Sequence, residues 1–270
     1  MKFQPPCYTS DHGCIIICEG DTSTFNLTDI FTKLSHQLKD QPSKHFAQFR
    51  LNNNTAVTEL PARVFSDILF EWVLIEGASS LKRIHRDAFA GPIAATMKRL
   101  YITDAPVGDA TRDGLYDVFG AVRTLALFEV LWLKGTELTA IPAGAVQSFP
   151  HLFHLFFVDN PRLTSVGDKA FSNLPAFTEL TLEGNPIVQV SDTAFNRGQI
   201  KGQALAGIKR IVHLDLNNNG LKFLDQAEFE AFLQTNPSNL ILSKTECLNK
   251  GNDWLRLKYA KQWFDDTCSN

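Results

Sequence analysis

One spacing recurs along this chain, and few folds can satisfy it. In the stretch FTELTLEGNPIVQVSDTAF, residues 177–195, Phe177, Leu180 and Leu182 stand at i, i+3 and i+5. Asn185 follows, then Ile187, Val190 and Phe195. The alternation of Leu180 and Leu182 makes a short strand with both side chains on one face, while Glu179, Thr181 and Glu183 point the other way. Gly184-Asn185-Pro186 turns the chain, and the asparagine amide can bond backbone groups inside the coil. Val190 and Phe195 close the core from the opposite side. One such coil leaves apolar edges above and below, so it needs neighbours.

The neighbours are present. Phe46, Phe49, Leu51, Asn54, Val57, Leu60 and Phe65 form a first copy, and Phe70, Val73, Ile75, Ala78, Leu81, Ile84 and Phe89 a second. Met97, Leu100, Ile102 and Ala105 start a third. Phe128, Leu131, Leu133, Thr136, Leu138, Ile141 and Val146 make the fourth, and Leu152, Leu155, Phe157, Asn160, Leu163, Val166 and Phe171 the fifth. After the sixth at 177–195 comes a seventh with Ile211, Leu214, Leu216, Asn219, Leu221, Leu224 and Phe229. This is the leucine-rich-repeat pattern. It predicts an α/β solenoid, a curved right-handed horseshoe with a parallel sheet on its concave side. The phenylalanines closing the copies form an aromatic spine in the core.

Two segments lengthen the period. Residues 106–127 carry Leu115, Val118, Phe119 and Val122, which suggest a short convex helix; residues 196–209 carry Gly198, Gly202 and Gly207, the mark of a flexible loop. The ends read as caps: residues 1–44 with a β-prone Ile15-Ile16-Ile17 and a helix over 26–38 capped by Asn26 or Thr28, and residues 237–270 with a strand at 240–242. Trp254, Leu257 and Trp263 stand near helical spacing in this second cap. Between the caps, residues 45–236 hold about seven repeats.

The cysteines lie only in the caps: Cys7, Cys14, Cys18, Cys247 and Cys268. That distribution fits disulfides stapling the ends of a stack in an oxidising compartment, against the alternatives of buried free thiols or a zinc site with His12. Cys7 with Cys18 closes a hairpin through Asp11-His12-Gly13, and Cys247 with Cys268 closes the other cap. Cys14, free or bonded to a residue outside the sequence, alternates with Ile16 and Cys18 and could face inward. Secretion would make the sequons at Asn26 and Asn53 glycosylation sites. The start MKFQPP lacks the apolar core of a signal peptide, so a signal is expected to have been removed. No 18-residue apolar run exists to span a membrane. A net charge of -3 without a basic stripe argues against nucleic acid.

Catalytic motifs are missing: no nucleophile elbow, Cys–His signature, Walker motif or dinucleotide glycine motif occurs. His154 and His213 share a strand column two repeats apart, roughly 10 Å at the strand spacing, too far to share a metal. Neither enzyme activity nor a metal or cofactor is expected. The strand residues between the buried ones carry the information instead, because the pattern turns them outward. In repeats two to five they include Trp72, Leu74, Tyr101, Val130, Trp132, Phe156 and Val158, with Arg99, Lys134, His154 and Glu179 at the rim. The same columns are polar in repeats one, six and seven. An exposed apolar patch edged by charge marks an interaction site, with aromatic anchors suited to a protein partner and glycan or lipid as alternatives. The competing reading is that the 106–127 segment or a cap folds over and buries it.

A Cys-to-Cys segment, an NLTDIF helix, repeats ending in DAF, KAF or TAF, and a cysteine-bearing cap together resemble a group of secreted arthropod proteins. These are named after the leucine-rich-repeat, non-catalytic subunit of crustacean (Oplophorus-type) luciferin 2-monooxygenase. The resemblance implies a secreted, non-enzymatic repeat protein that binds or scaffolds a partner, or an accessory subunit that stabilises a separate oxidative enzyme chain.

Overall fold

The computed structural model describes residues 6–10, 13–20, 25–190, 213–217, 240–259 and 261–268, together with positions 219, 224, 226, 229 and 233. The 196–209 segment, Phe195, Ile211 and Leu221 lie outside the described residues, as does the side chain of Val190. The chain forms two compact units, one up to Leu138 and one from Thr139.

The first unit opens with an antiparallel hairpin of β1 (Cys7–Ser10) and β2 (Ile15–Glu19). Cys7 stands directly opposite Cys18 in that hairpin and is disulfide-bonded to it, with 4.1 Å between their Cα atoms. Helix α1 (Leu27–Gln37) follows, and its first turn settles which residue caps it: the Asn26 carboxamide oxygen accepts from the Asp29 amide at 3.2 Å. Then come β3 (His45–Asn52), β4 (Glu59–Leu60), β5 (Leu69–Glu76), β6 (Arg83–Ile84), β7 (Arg99–Thr103), α2 (Val118–Val122) and β8 (Val130–Lys134). Strands β2, β3, β5, β7 and β8 lie side by side, all parallel, while β4 and β6 make a small separate sheet. The apolar positions of the first three repeats are buried between the two. Phe31 from α1 inserts among Phe49, Phe65 and Phe70 with ring centroids 4.9–5.8 Å apart, and Phe65 stacks on Phe89 at 6.1 Å. Such edge-to-face packing adds to the area buried.

The 106–127 segment does contain a short helix, capped by Asp117, whose carboxylate accepts from the Phe119 amide at 3.0 Å. Leu115 stands outside it, exposed, in a turn where its amide donates to the Asp113 carboxylate at 3.0 Å. Backbone bonds from Asp117 to Ile84 (2.9 Å) and from Arg86 to Leu115 (2.8 Å) tie this segment to β6.

The second unit continues the pattern with β9 (Ala140–Ile141), β10 (Val146–Gln147), β11 (His154–Val158), β12 (Ser165–Val166), β13 (Phe171–Ser172), β14 (Glu179–Thr181), β15 (Gln189–Val190), β16 (His213–Asp215) and β17 (Leu240–Ile241). Strands β11, β14, β16 and β17 run parallel in that order, and β9, β12 and β15 form a second parallel set. Asparagines bind the coils together. The Asn185 amide donates to Phe157 and Leu182 carbonyls at 2.7 and 2.6 Å, and its oxygen accepts from the Asn160 amide at 2.9 Å. Asn219 repeats the two donated bonds one coil later, to the Leu182 and Leu216 carbonyls at 2.8 and 2.7 Å.

Helices α3 (Lys244–Cys247), α4 (Asp253–Lys258) and α5 (Lys261–Thr267) cap this unit, with Cys247 bonded to Cys268. Trp263 is buried, but Leu257 is 81% exposed and Leu255 takes the inward place. Leu257 lies within α4, about 200° round the helix from Leu255, so it faces out when Leu255 faces in; the helix then ends before Tyr259, whose backbone is extended, so the spacing does not carry on to Trp263. Cys14 is a free, exposed thiol rather than an inward one, since it sits in the turn before β2 instead of on the strand.

Candidate functional site

The parallel register of the first unit stacks the outward residues into rows. The central row is Ile17, Arg50, Leu74, Tyr101 and Trp132. Below it run Gln48, Trp72, Arg99 and Val130; above it run Asn52, Glu76, Thr103 and Lys134. Trp72, Leu74, Tyr101 and Trp132 are half-buried. Two features depart from the expected open face. Val130 is only 3% exposed, so it belongs to the core and not to the surface patch. Its short side chain stands beside the longer Arg99, its register partner, which reaches past it to Glu129. Trp72 is covered as well: the Arg99 guanidinium lies 4.6 Å from its ring centroid while Nε donates to Glu129 at 3.4 Å. The columns already place Trp72 beside Arg99, but only the side-chain conformation shows that they stack.

What remains open is a shallow cleft of about 310 Å³, lined by Leu74, Ile75, Glu76, Tyr101, Thr103, Trp132 and Lys134. The rings of Tyr101 and Trp132 stand 6.5 Å apart and tilted by 36°. No residue of 106–127 lines the cleft; that segment is engaged with β6 instead. Along the lower edge the Glu71 carboxylate is met by the Lys98 ammonium at 3.0 Å and lies 3.7 Å from the His45 imidazole.

In the second unit Phe156 and Val158 are half-buried on β11. His154 meets Phe153 and Phe156 edge-on, at 4.6 and 5.6 Å, and its Nε2 lies 3.6 Å from Glu179. Thr181 and Asn217, expected open to solvent, are buried. Thr181 is short and is flanked in register by the larger Phe156; the Asn217 backbone N–H donates to the Asp215 carboxylate at 2.9 Å. Burial raises the Asp215 pKa, an effect that the Asn217 amide opposes and the Glu179 charge reinforces.

Among the described residues no group of three histidines, cysteines or carboxylates could hold a metal. Asn26 and Asn53 are both exposed. No described helix is long and apolar enough to cross a membrane.

The two sets of parallel strands, the asparagine bonds between coils and the buried apolar columns define an α/β leucine-rich-repeat solenoid. The family model described as "Leucine rich repeat" matches residues 128–187. Solved structures with a similar fold include TLR13 in its complex with ssRNA13, with a TM-score of 0.54 and 15% sequence identity. The likeness covers 84% of this chain and 31% of that one, so this chain spans about a third of TLR13's length, and what the two share is the fold. No curated protein matches the chain.

Proposed function

We propose that this chain is a secreted, non-enzymatic interaction protein that binds a protein partner through the cleft formed by Leu74, Tyr101 and Trp132. One observation carries the reading: the half-buried rings of Tyr101 and Trp132, side by side on adjacent strands, line an open cleft on the strand face of a repeat fold. Aromatic side chains presented in this way are typical interface anchors. Phe156 and Val158 on β11, with His154 and Glu179 beside them, form an outward patch of the second unit's own, which we propose also contacts a partner. The bonded cysteine pairs support secretion, and exposed Asn26 and Asn53 would then be glycosylated. RNA, held by TLR13 in its complex, is not the ligand proposed: Glu71, Glu76 and Glu129 lie along this face and the chain carries a net charge of -3. We also retain the division into an N-terminal cap at 1–44, repeats at 45–236 and a C-terminal cap at 237–270.

The test is comparative capture. Immobilised wild-type chain, Trp132→Ala and the control Leu257→Ser are exposed to extracellular fluid from the source tissue. A protein held by wild type and control but released by Trp132→Ala supports the cleft; equal retention by all three sinks it. The arthropod resemblance motivates a second reading, an accessory subunit of an oxidative enzyme. Co-purification of an oxidative chain from that fluid would favour it, and a clean monomer would count against it.

A further inference from the structure

The cleft contains a carboxylate that nothing in the described structure answers. Glu71 is met by Lys98 and His45, Glu129 by Arg99, and Glu19 takes the Tyr8 hydroxyl. Glu76 is exposed at the end of β5 and has no side-chain partner among the described residues, yet it lines the same cleft as the Tyr101 and Trp132 rings. Lys134, which lines the cleft too, stands two strands away in the register, roughly 10 Å by the strand spacing, and has an interaction of its own. One row below, the molecule has assembled the same elements and filled them itself. An aromatic ring, Trp72, and a carboxylate, Glu129, hold the guanidinium of Arg99 between them, 4.6 Å from the ring centroid and 3.4 Å from the carboxylate oxygen.

Resting on the proposed cleft, we propose that its specificity is for a cationic side chain of the protein partner, arginine before lysine. A planar guanidinium can lie over the Tyr101 or Trp132 ring while donating to Glu76, whereas a compact, strongly hydrated ammonium stacks less well. The apolar floor at Leu74 receives the aliphatic stem, which long cationic side chains lay along apolar surface. A carboxylate left unpaired beside the Tyr101 ring disfavours acidic partners and favours basic ones.

The experiment titrates the full chain with N-acetyl-arginine amide and with the neutral citrulline analogue at low ionic strength, following the tryptophan indole N–H signals by NMR. The expected result is a saturable shift with the arginine compound, lost in Trp132→Ala and weakened about fivefold in Glu76→Gln, with the citrulline compound at least as weak on wild type. Glu76 is exposed, so Glu76→Gln is expected to keep the wild-type melting temperature, which is measured alongside. No saturable shift, equal binding of citrulline, or an unchanged response in Glu76→Gln overturns the inference. The cleft reading is judged separately: partner capture that still depends on Trp132 while the arginine compound fails leaves the cleft standing and removes only the charge preference.

Discussion

At the scale of the residue, the repeat is held by a few polar side chains that the chain buries on purpose of geometry rather than composition. Asn185 is 1% exposed and makes four bonds at once, two donated to carbonyls and two accepted from the backbone and side-chain amides of Asn160 in the preceding coil. Asn185→Ala leaves these groups unpaired in the core, and an unsatisfied buried group costs about 1–3 kcal/mol. Chemical denaturation should show a loss of about 3 kcal/mol for Asn185→Ala. Gly135 works through backbone shape. It holds a φ of +61°, and a Cβ there would lie 2.5 Å from the Asp104 carboxylate oxygen, so Gly135→Ala should destabilise by about 1–2 kcal/mol.

Buried acids add a pH dependence to the second unit. Burial raises the pKa of Glu246 and of Asp215, although backbone amides at Ser243, Asn219 and Asn217 pull the other way. A carboxyl whose folded pKa exceeds its unfolded value binds protons more tightly when folded. The stabilisation from these two groups is therefore present in full below the unfolded carboxylate range and is lost as pH rises through the raised folded values. Amide exchange at Asn219 and Ser243 should accordingly be slower at mildly acid pH than at neutral pH, after correction for intrinsic exchange. Faster local exchange on acidification would contradict the assignment.

Among the elements, the N-terminal hairpin shows how a short cap is kept on its stack. Strands β1 and β2 bury Ile16, Ile17 and Cys18 against β3, and the bond from Cys7 to Cys18 closes a loop with a sequence separation of 11. The chain-entropy relation puts such a loop at about 3 kcal/mol. Cys7→Ser with Cys18→Ser should lower stability by about that amount and speed exchange in β2, with no effect of equal size from Cys14→Ser. The repeats are legible in sequence at this scale because a strand of period two and a fixed offset leave one register for Leu180 and Leu182, Leu155 and Phe157, or Val73 and Ile75. The cap at the other end is less legible. Its helices are too short for a period to establish itself, and in α4 the inward place goes to Leu255, which leaves Leu257 on the surface. The outward direction of Tyr101 and Trp132 follows from the same pattern. The shading of Val130 and the stacking of Arg99 on Trp72 do not, because periodicity gives the direction of a Cβ atom and says nothing about where a long side chain comes to rest.

At the scale of the whole molecule, a repeat stack separates stability from recognition. The core is carried by columns repeated in every coil, such as Phe65 and Phe89, while the strand face is free to vary between coils. Tyr101 and Trp132 lie on that face and are half-buried, so truncating them removes little core. By contrast, Phe65→Ala would empty a fully buried site and cost about 3–5 kcal/mol. The most direct measurement is therefore a paired one on Tyr101→Ala with Trp132→Ala: partner affinity by surface binding and melting temperature by calorimetry. At least about a tenfold loss of affinity is expected, roughly 1.4 kcal/mol, with the melting temperature within a few degrees of wild type. A large fall in melting temperature with affinity unchanged would contradict that expectation.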